Sequence, residues 1–356
     1  MKILFDAQIF LNQKAGGISR YYYELFKGLN IAGVDICIAG KFIKNKYLLA
    51  DKIYGKDFFH DSAALFNYFN KRLIKQKVVK GGYDIYHPSD SHDFLETIIP
   101  ADKNLVFTIH DMIPEKYFNV KSQIKKSLAQ RANKIIAVSE NTRNDIIEVF
   151  GIEKNKIEVV YHGFSFQTKS AIKAPPDLPE LYILQVGERQ GYKNFEMALR
   201  AITPLMGKYK DLYLVCAGRR PFSKYEQLLL KSLNIERRVI MYPQANDNIL
   251  ATLYINASVF IFPSLYEGFG IPVLESWACG TPIVLSNNGC FKEVAGDAGH
   301  YFDPRDKDSI TAAIEEVLIH PTLQNALREK GKKRLAQFSW ERAVQETNEI
   351  YKSLIF

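Results

Sequence analysis

Cysteine is scarce in this 356-residue chain: Cys37, Cys216, Cys279 and Cys290 stand far apart, without the paired short spacing of a zinc knuckle or a disulfide framework. A reducing compartment is the simpler assignment. No apolar run approaches the roughly 20 residues that a membrane-crossing helix needs. The opening MKILFDAQIF reaches Asp6 without a long apolar stretch and cleavage site behind it, so no secretion signal is expected. Zinc-finger spacing, an RNP-like aromatic strand and a clean recognition-helix pattern are also missing, which leaves nucleic-acid binding with charge alone to support it. That charge is a formal +8, from 47 Lys and Arg against 39 Asp and Glu, and it favours anionic partners. Nucleotide phosphates and an acidic membrane surface explain it as well as nucleic acid does.

What is present is enough apolar residue, 47%, to bury a large core in two domains of ordinary size. Short β-branched runs alternate with amphipathic stretches, the pattern of parallel strands with crossover helices. Strands are expected at residues 3–7, 34–39, 84–87, 106–109, 135–138 and 157–161, then at 182–186, 212–216, 239–242, 259–262 and 283–286. Between the two series, Pro175, Pro176 and Pro179 discourage a continuous helix or central strand. The expected organisation is therefore an α/β N-terminal domain over 1–168, a linker over 169–180 and an α/β C-terminal domain over 181–338. A terminal helix over 339–356 begins at Ser339 and needs a docking surface for Val344, Thr347, Ile350, Tyr351 and Leu354; it is expected to dock across the domains.

Gly16-Gly17 falls between the first strand and a helix, where absent side chains admit either a tight turn or a pyrophosphate near exposed amides. In the second series, Arg189 and Lys193 leave a strand end together. They read as solvent-exposed loop cations or as a phosphate clamp, a fork and a point charge that offset charge on a departing diphosphate. Glu267-Gly268-Phe269-Gly270 joins a strand end to a helix, and Glu275 follows eight positions after Glu267, about two turns into that helix. Glu275 suits a ribose diol or a structural cation. His110 stands at the exit of an apolar strand before Asp111; a loop-satisfying imidazole with a capping Asp111 competes with a ligand role. Ser139, or Thr142, caps the next helix, with Glu140 at its positive end. His162-Gly163 suits packing or a hinge as well as catalysis.

These motifs, in this order, resemble the retaining GT-B glycosyltransferases of family four (glycosyl transferases group 1), in particular the bacterial polysaccharide-mannosyltransferase-like branch. The resemblance covers nearly the whole chain and rests on Gly16-Gly17, His110-Asp111, Arg189 with Gly191-Tyr192-Lys193-Asn194, and Glu267 through Glu275. It implies two doubly wound parallel-sheet domains facing an interdomain cleft. By resemblance, Gly17, Arg189 and Lys193 hold the pyrophosphate, Glu267 and the amides around Phe269 and Gly270 meet the donor sugar, and Glu275 meets ribose hydroxyls. His110 is assigned to sugar orientation and transition-state stabilisation, with Asp111 supporting the loop or acceptor site. The donor implied is a nucleotide sugar, GDP-mannose first and a UDP-sugar as the alternative. The acceptor implied is a lipid-linked surface polysaccharide or oligosaccharide, and the expected location is the cytoplasm, either free or peripheral at the cytoplasmic face of the inner membrane. No cofactor or metal is expected, since no Asp-x-Asp patch is placed as in GT-A transferases.

The segment 58–77, aromatic with a basic end, fits either peripheral contact with anionic lipid or an amphipathic crossover helix packed on the sheet. Three other functions are weighed. An NAD-dependent oxidoreductase or a nucleotide-sugar epimerase needs a dinucleotide fingerprint, and no Gly-x-Gly-x-x-Gly continues from Gly16-Gly17. A nucleic-acid-binding protein is encouraged by Arg328, Lys330, Lys332, Lys333 and Arg334, which a solvated helix face explains more cheaply.

Overall fold

The computed structural model describes residues 1–52, 54, 58–60, 64–165, 175 and 177–355. The chain divides into two compact units, Met1–Gly163 with Ser339–Phe356, and Phe164–Phe338. The expected linker at 169–180 falls largely outside the described residues, which omit 169–174 and 176.

In the first unit, strands form at β1 (Lys2–Asp6), β2 (Asp35–Ala39), β3 (Phe42–Ile43), β4 (Phe59–His60), β5 (Ile85–His87), β6 (Asn104–Ile109), β7 (Lys134–Ala137) and β8 (Ile157–Val159). Among the described residues, six of them make a parallel sheet in the order β2-β1-β5-β6-β7-β8, while β3 and β4 pair separately. Ile3, Leu4 and Phe5 are all buried, a continuous apolar run of the kind that suits a parallel strand covered on both faces. Ile3 lies opposite Ile36 on one side and Ile85 on the other. The helix Gly17–Ile31 buries Tyr21, Tyr22, Leu25, Phe26 and Leu29, one stripe at helical spacing, within the same core.

The terminal helix Trp340–Lys352 belongs to this first unit. Ser339 caps it by accepting from the Arg342 amide at 3.1 Å. Val344, Ile350 and Tyr351 join the first unit's core, with Leu354 packed against it. The fit is close enough to require two glycines. A Cβ on Gly28 would collide with the Val344 side chain, and one on Gly163 with the backbone of Trp340. That second contact joins the two ends of the unit's segments, Gly163 and Ser339.

The second unit carries β9 (Tyr182–Val186), β10 (Tyr213–Gly218), β11 (Val239–Pro243), β12 (Val259–Phe262), β13 (Ile283–Ser286) and β14 (His300–Phe302). Its parallel order, β11-β10-β9-β12-β13-β14, reverses between β9 and β12. In open α/β sheets the crevice beyond the strand ends at such a reversal receives ligands. It is bordered here by the loops after β9 and β12. In the first unit the reversal lies between β1 and β5.

Candidate functional site

In the second unit the crevice is built from two loops that fasten to each other. The chain leaves β9 through Gly187, at φ 115°, passes a 3-10 turn at Gly191–Lys193, and enters the helix Phe195–Lys208 through Asn194 at φ 57°. Asn194 stands in the left-handed region, which costs energy for a residue with a Cβ but is accessible to asparagine. Its amide Nδ2 donates to the carbonyls of Pro263 at 3.2 Å and Pro304 at 2.7 Å, tying the loop to the ends of β12 and β14. The Leu265 amide donates to the Tyr192 carbonyl at 2.7 Å.

These ties bring Lys193 Nζ to 2.6 Å from Glu267 Oε1. Glu267 is buried, and Lys193 lies over the Tyr192 ring at 4.9 Å. Burial works against the ammonium, but the charge and hydrogen bond of Glu267, with help from Tyr192, more than offset it and hold the pKa above the ordinary lysine value. Beyond Glu267 the backbone turns through Gly268 and Phe269 to Gly270, at φ 94°, where a Cβ would also crowd the Phe262 and Phe291 rings at 3.3 Å. The Phe269 ring is buried against Phe338, so this residue presents its backbone. The helix Ile271–Ala278 starts only after Gly270. Glu275 is therefore one turn into the helix, not two, and its Oε2 accepts from the buried Tyr254 hydroxyl at 3.2 Å.

Arg189, on the same loop, is held by the second unit's own groups. Its Nε donates to Glu226 Oε1 at 2.7 Å, and its Nη2 to the carbonyls of Arg220 at 3.1 Å and Pro221 at 3.0 Å. The side chain is 5% exposed. These bonds occupy Nε and Nη2, and the carboxylate among the partners, Glu226, is 37 positions away in sequence, where spacing does not reveal it.

The first unit holds a cavity of about 520 Å³ at its own strand reversal, walled by Ile9, Ser89, Asp90, Thr108, His110 and Asp111 among others. His110 sits edge-on to Tyr21, ring centroids 4.9 Å apart, and stacks on His162 at 5.5 Å. Its Nε2 is buried and has no hydrogen-bond partner among the described residues. Burial first, then the His162, His87 and Lys125 charges, hold its pKa well below the ordinary histidine value, so the ring is neutral at pH 7. Asp111 Oδ1 accepts from the Ile113 amide at 3.0 Å, a local cap. Ser139 caps the helix Glu140–Phe150 through the Thr142 amide. His162 packs between Tyr21 and Trp340.

Gly16 is extended, at φ 174°, and a Cβ there would meet Gln13 Oε1 at 2.5 Å. That same oxygen accepts from the Ser19 amide at 3.1 Å, so Gln13 satisfies one donor of the helix that Gly17 begins. Asp6, which the sequence reading did not single out, is fully buried at the end of β1. It accepts from Ser89 Oγ at 2.6 Å, Tyr86 at 2.8 Å and the Gln8 amide at 3.0 Å. Burial outweighs those bonds and raises its pKa. Its signal was a carboxylate ending an otherwise apolar strand.

Three members of the basic run serve the second unit's own structure. Arg328 donates to the Gly280 carbonyl, Arg334 to those of Glu293 and Val294, and Lys330 pairs with Asp297 at 3.4 Å. In the segment 58–77, residues 61–63 lie outside those described. The helix Ala64–Lys80 buries Ile74, while Phe59, Tyr68 and Phe69 are exposed. Among the described residues, no group of three or more His, Cys, Asp or Glu is placed to hold a metal ion, and no helix is long and apolar enough to cross a membrane.

Two family models tile the chain. Residues 166–334 match the one described as Glycosyl transferases group 1, and residues 15–167 the one described as Glycosyltransferase Family 4. The chain is 28% identical to O-antigen chain mannosyltransferase B of Escherichia coli, over 99% of this chain and all of that protein. Among solved structures it is similar to a sucrose-phosphate synthase from Thermosynechococcus elongatus, with a TM-score of 0.77 at 21% identity, over 99% of each chain. It is also similar to Anabaena Alr3699/HepE in complex with UDP and glucose, with a TM-score of 0.77 at 18% identity, over 99% of this chain and 100% of that one.

Proposed function

This chain belongs to the family 4, group 1 glycosyltransferases and has their two-domain GT-B fold, and we propose that it moves mannose from GDP-mannose onto a growing lipid-linked surface polysaccharide or oligosaccharide with retention of anomeric configuration. The observation that carries the donor site is the Lys193–Glu267 pair at the strand reversal of the second unit, 2.6 Å between a cation and a buried carboxylate on facing loops. Lys193 takes the diphosphate, whose charge grows as the sugar leaves. Glu267, with the amides of Phe269 and Gly270, holds sugar hydroxyls, and Glu275 accepts from the ribose. In the first unit, Gly16 and Gly17 offer amides to an anion, and the neutral His110 orients a sugar hydroxyl by hydrogen bonding, not by charge.

Mannose is favoured by the full-length likeness to an O-antigen mannosyltransferase. The same likeness supports a polysaccharide acceptor and work at the cytoplasmic face of the inner membrane. The exposed Phe59, Tyr68 and Phe69 supply aromatics for peripheral contact with anionic lipid. A transfer screen combining GDP- and UDP-sugars with lipid-linked and short oligosaccharide acceptors tests the reading, with linkage and anomeric configuration determined on the product. Transfer of mannose from GDP-mannose with retention is expected. Exclusive use of a UDP-sugar overturns the donor, and inversion overturns the stereochemistry.

A further inference from the structure

We propose that Glu226 is a positioning residue of the sugar transfer, holding through Arg189 the loop that presents Lys193 to the donor diphosphate. This rests on the donor site proposed above. Glu226 lies in the first turn of the helix Lys224–Ser232 and closes its capping box, its amide donating to Ser223 Oγ while its Oε2 accepts from the Ser223 amide. The other oxygen, Oε1, is left for Arg189 Nε at 2.7 Å. One carboxylate thus ends a helix and seizes a guanidinium.

That guanidinium fixes the loop from one side. Its bonds to the Arg220 and Pro221 carbonyls bind the loop after β9 to the loop after β10, and the Phe222 ring covers it at 4.9 Å. Asn194 pins the other side through Pro263 and Pro304. Lys193 stands between the two anchors, so its backbone has little freedom when a phosphate must be met. Gly218 adds to the fit, since a Cβ there would come within 2.6 Å of the Gly187 carbonyl oxygen and 3.1 Å of Arg189 Nη1. Without the Glu226 charge, Arg189 becomes a buried cation lacking its carboxylate, a costly arrangement relieved by swinging out and taking the loop with it. A site that is loose at its supporting residues loses ligand affinity although its contacting groups are intact.

Glu226→Gln suits the test because a capping box accepts either glutamate or glutamine at this position, so the helix start is preserved while the charge goes. Ser223→Ala is the opposite variant: it weakens the same cap and leaves Arg189–Glu226 in place. Calorimetric titration with GDP and with UDP, and initial rates with the matching sugar nucleotide, are compared across the parent, both variants, Arg189→Lys and Lys193→Ala. Glu226→Gln and Arg189→Lys are expected to raise the donor KM and the nucleotide Kd about tenfold or more and to lower kcat in the same direction as Lys193→Ala but by less. Ser223→Ala is expected to lower Tm and leave KM within about twofold. Glu226→Gln with an unaltered KM overturns the proposal, as does an equal rise in Ser223→Ala, which makes the effect one of helix stability. If the parent binds neither nucleotide, or Lys193→Ala binds as the parent does, the donor site itself is misplaced and this role falls with it. A positive Lys193→Ala result beside an unchanged Glu226→Gln rejects this role alone.

Discussion

Lys193 Nζ and Glu267 Oε1, from the loops after β9 and β12, are 2.6 Å apart, so the proposed phosphate cation and the proposed sugar-binding carboxylate are each other's partner. A donor that engages both must divide the pair, exchanging one strong contact for two.

Lys193→Ala is therefore expected to lower kcat about 100-fold, the scale of losing one charge-stabilising group. Stability should fall too, by about 1–3 kcal/mol, because Glu267 is left buried without its donor. The raised Lys193 pKa sets the pH window. The pair's contribution is fully present below the unfolded lysine value of about 10.4 and is lost as pH rises through the higher folded value. Denaturant unfolding of parent and variant should differ by a constant amount from pH 6 to 9, and a difference that vanishes within that range refutes the assignment.

Glu275→Ala is expected to weaken nucleoside diphosphate binding about tenfold, the scale of a hydrogen bond to a charged group. Calorimetry with GDP decides it. Tyr254→Phe, which deletes the hydroxyl that donates to Glu275 at 3.2 Å, should have a smaller effect in the same direction. An unaffected dissociation constant in Glu275→Ala removes the ribose contact.

The first unit should be acid-sensitive. Burial lowers the pKa of both His87 and His162 to about 3, and that of His110 falls well below its usual range. A folded pKa below the unfolded one of about 6.5 means that the unfolded chain binds the proton first, so stability is lost as pH falls through 6.5 toward the folded value. Each histidine would contribute up to about 2 kcal/mol between pH 7 and 5. Urea midpoints of the unit's transition at those two pH values give the answer, and equal midpoints contradict neutral burial.

Gly28→Ala should lower stability by about 1–3 kcal/mol, because its methyl overlaps Val344. Shortening Val344 to Ala in the same chain should recover part of the loss, since the two positions share one contact. Thermal unfolding of the two single variants and the double variant measures the coupling. Additive effects would show that the contact is not what requires glycine.

The strands were legible in the sequence wherever an apolar run was long. Each of the eleven expected strands has a counterpart, among them Tyr182–Val186, Val259–Phe262 and Ile283–Ser286 at the same bounds. β14 was missed because His300–Phe302 is three residues long and has no apolar run of its own; its place comes from pairing with β13. Motif residues were legible as types but not as partners. Arg189 and Lys193 look alike in sequence, both cations after β9, yet one is directed to Glu226 and the other to Glu267. Those choices depend on which helix start and which loop the sheet order brings near, and a one-residue change in loop phase redirects a side chain. The start of the helix before Glu275 was misplaced for a related reason: Gly270 delays it by adopting a positive φ that composition does not announce.

The first unit is written in two pieces, with Phe164–Phe338 inserted between Gly163 and Ser339. On the ribosome, the first piece must wait without Trp340, Val344 and Tyr351, three of its core side chains, until the whole inserted unit has been made. The inserted unit is continuous and can fold first. Loss of the last helix should consequently unfold the portion synthesised earliest and spare the portion synthesised just before the cut.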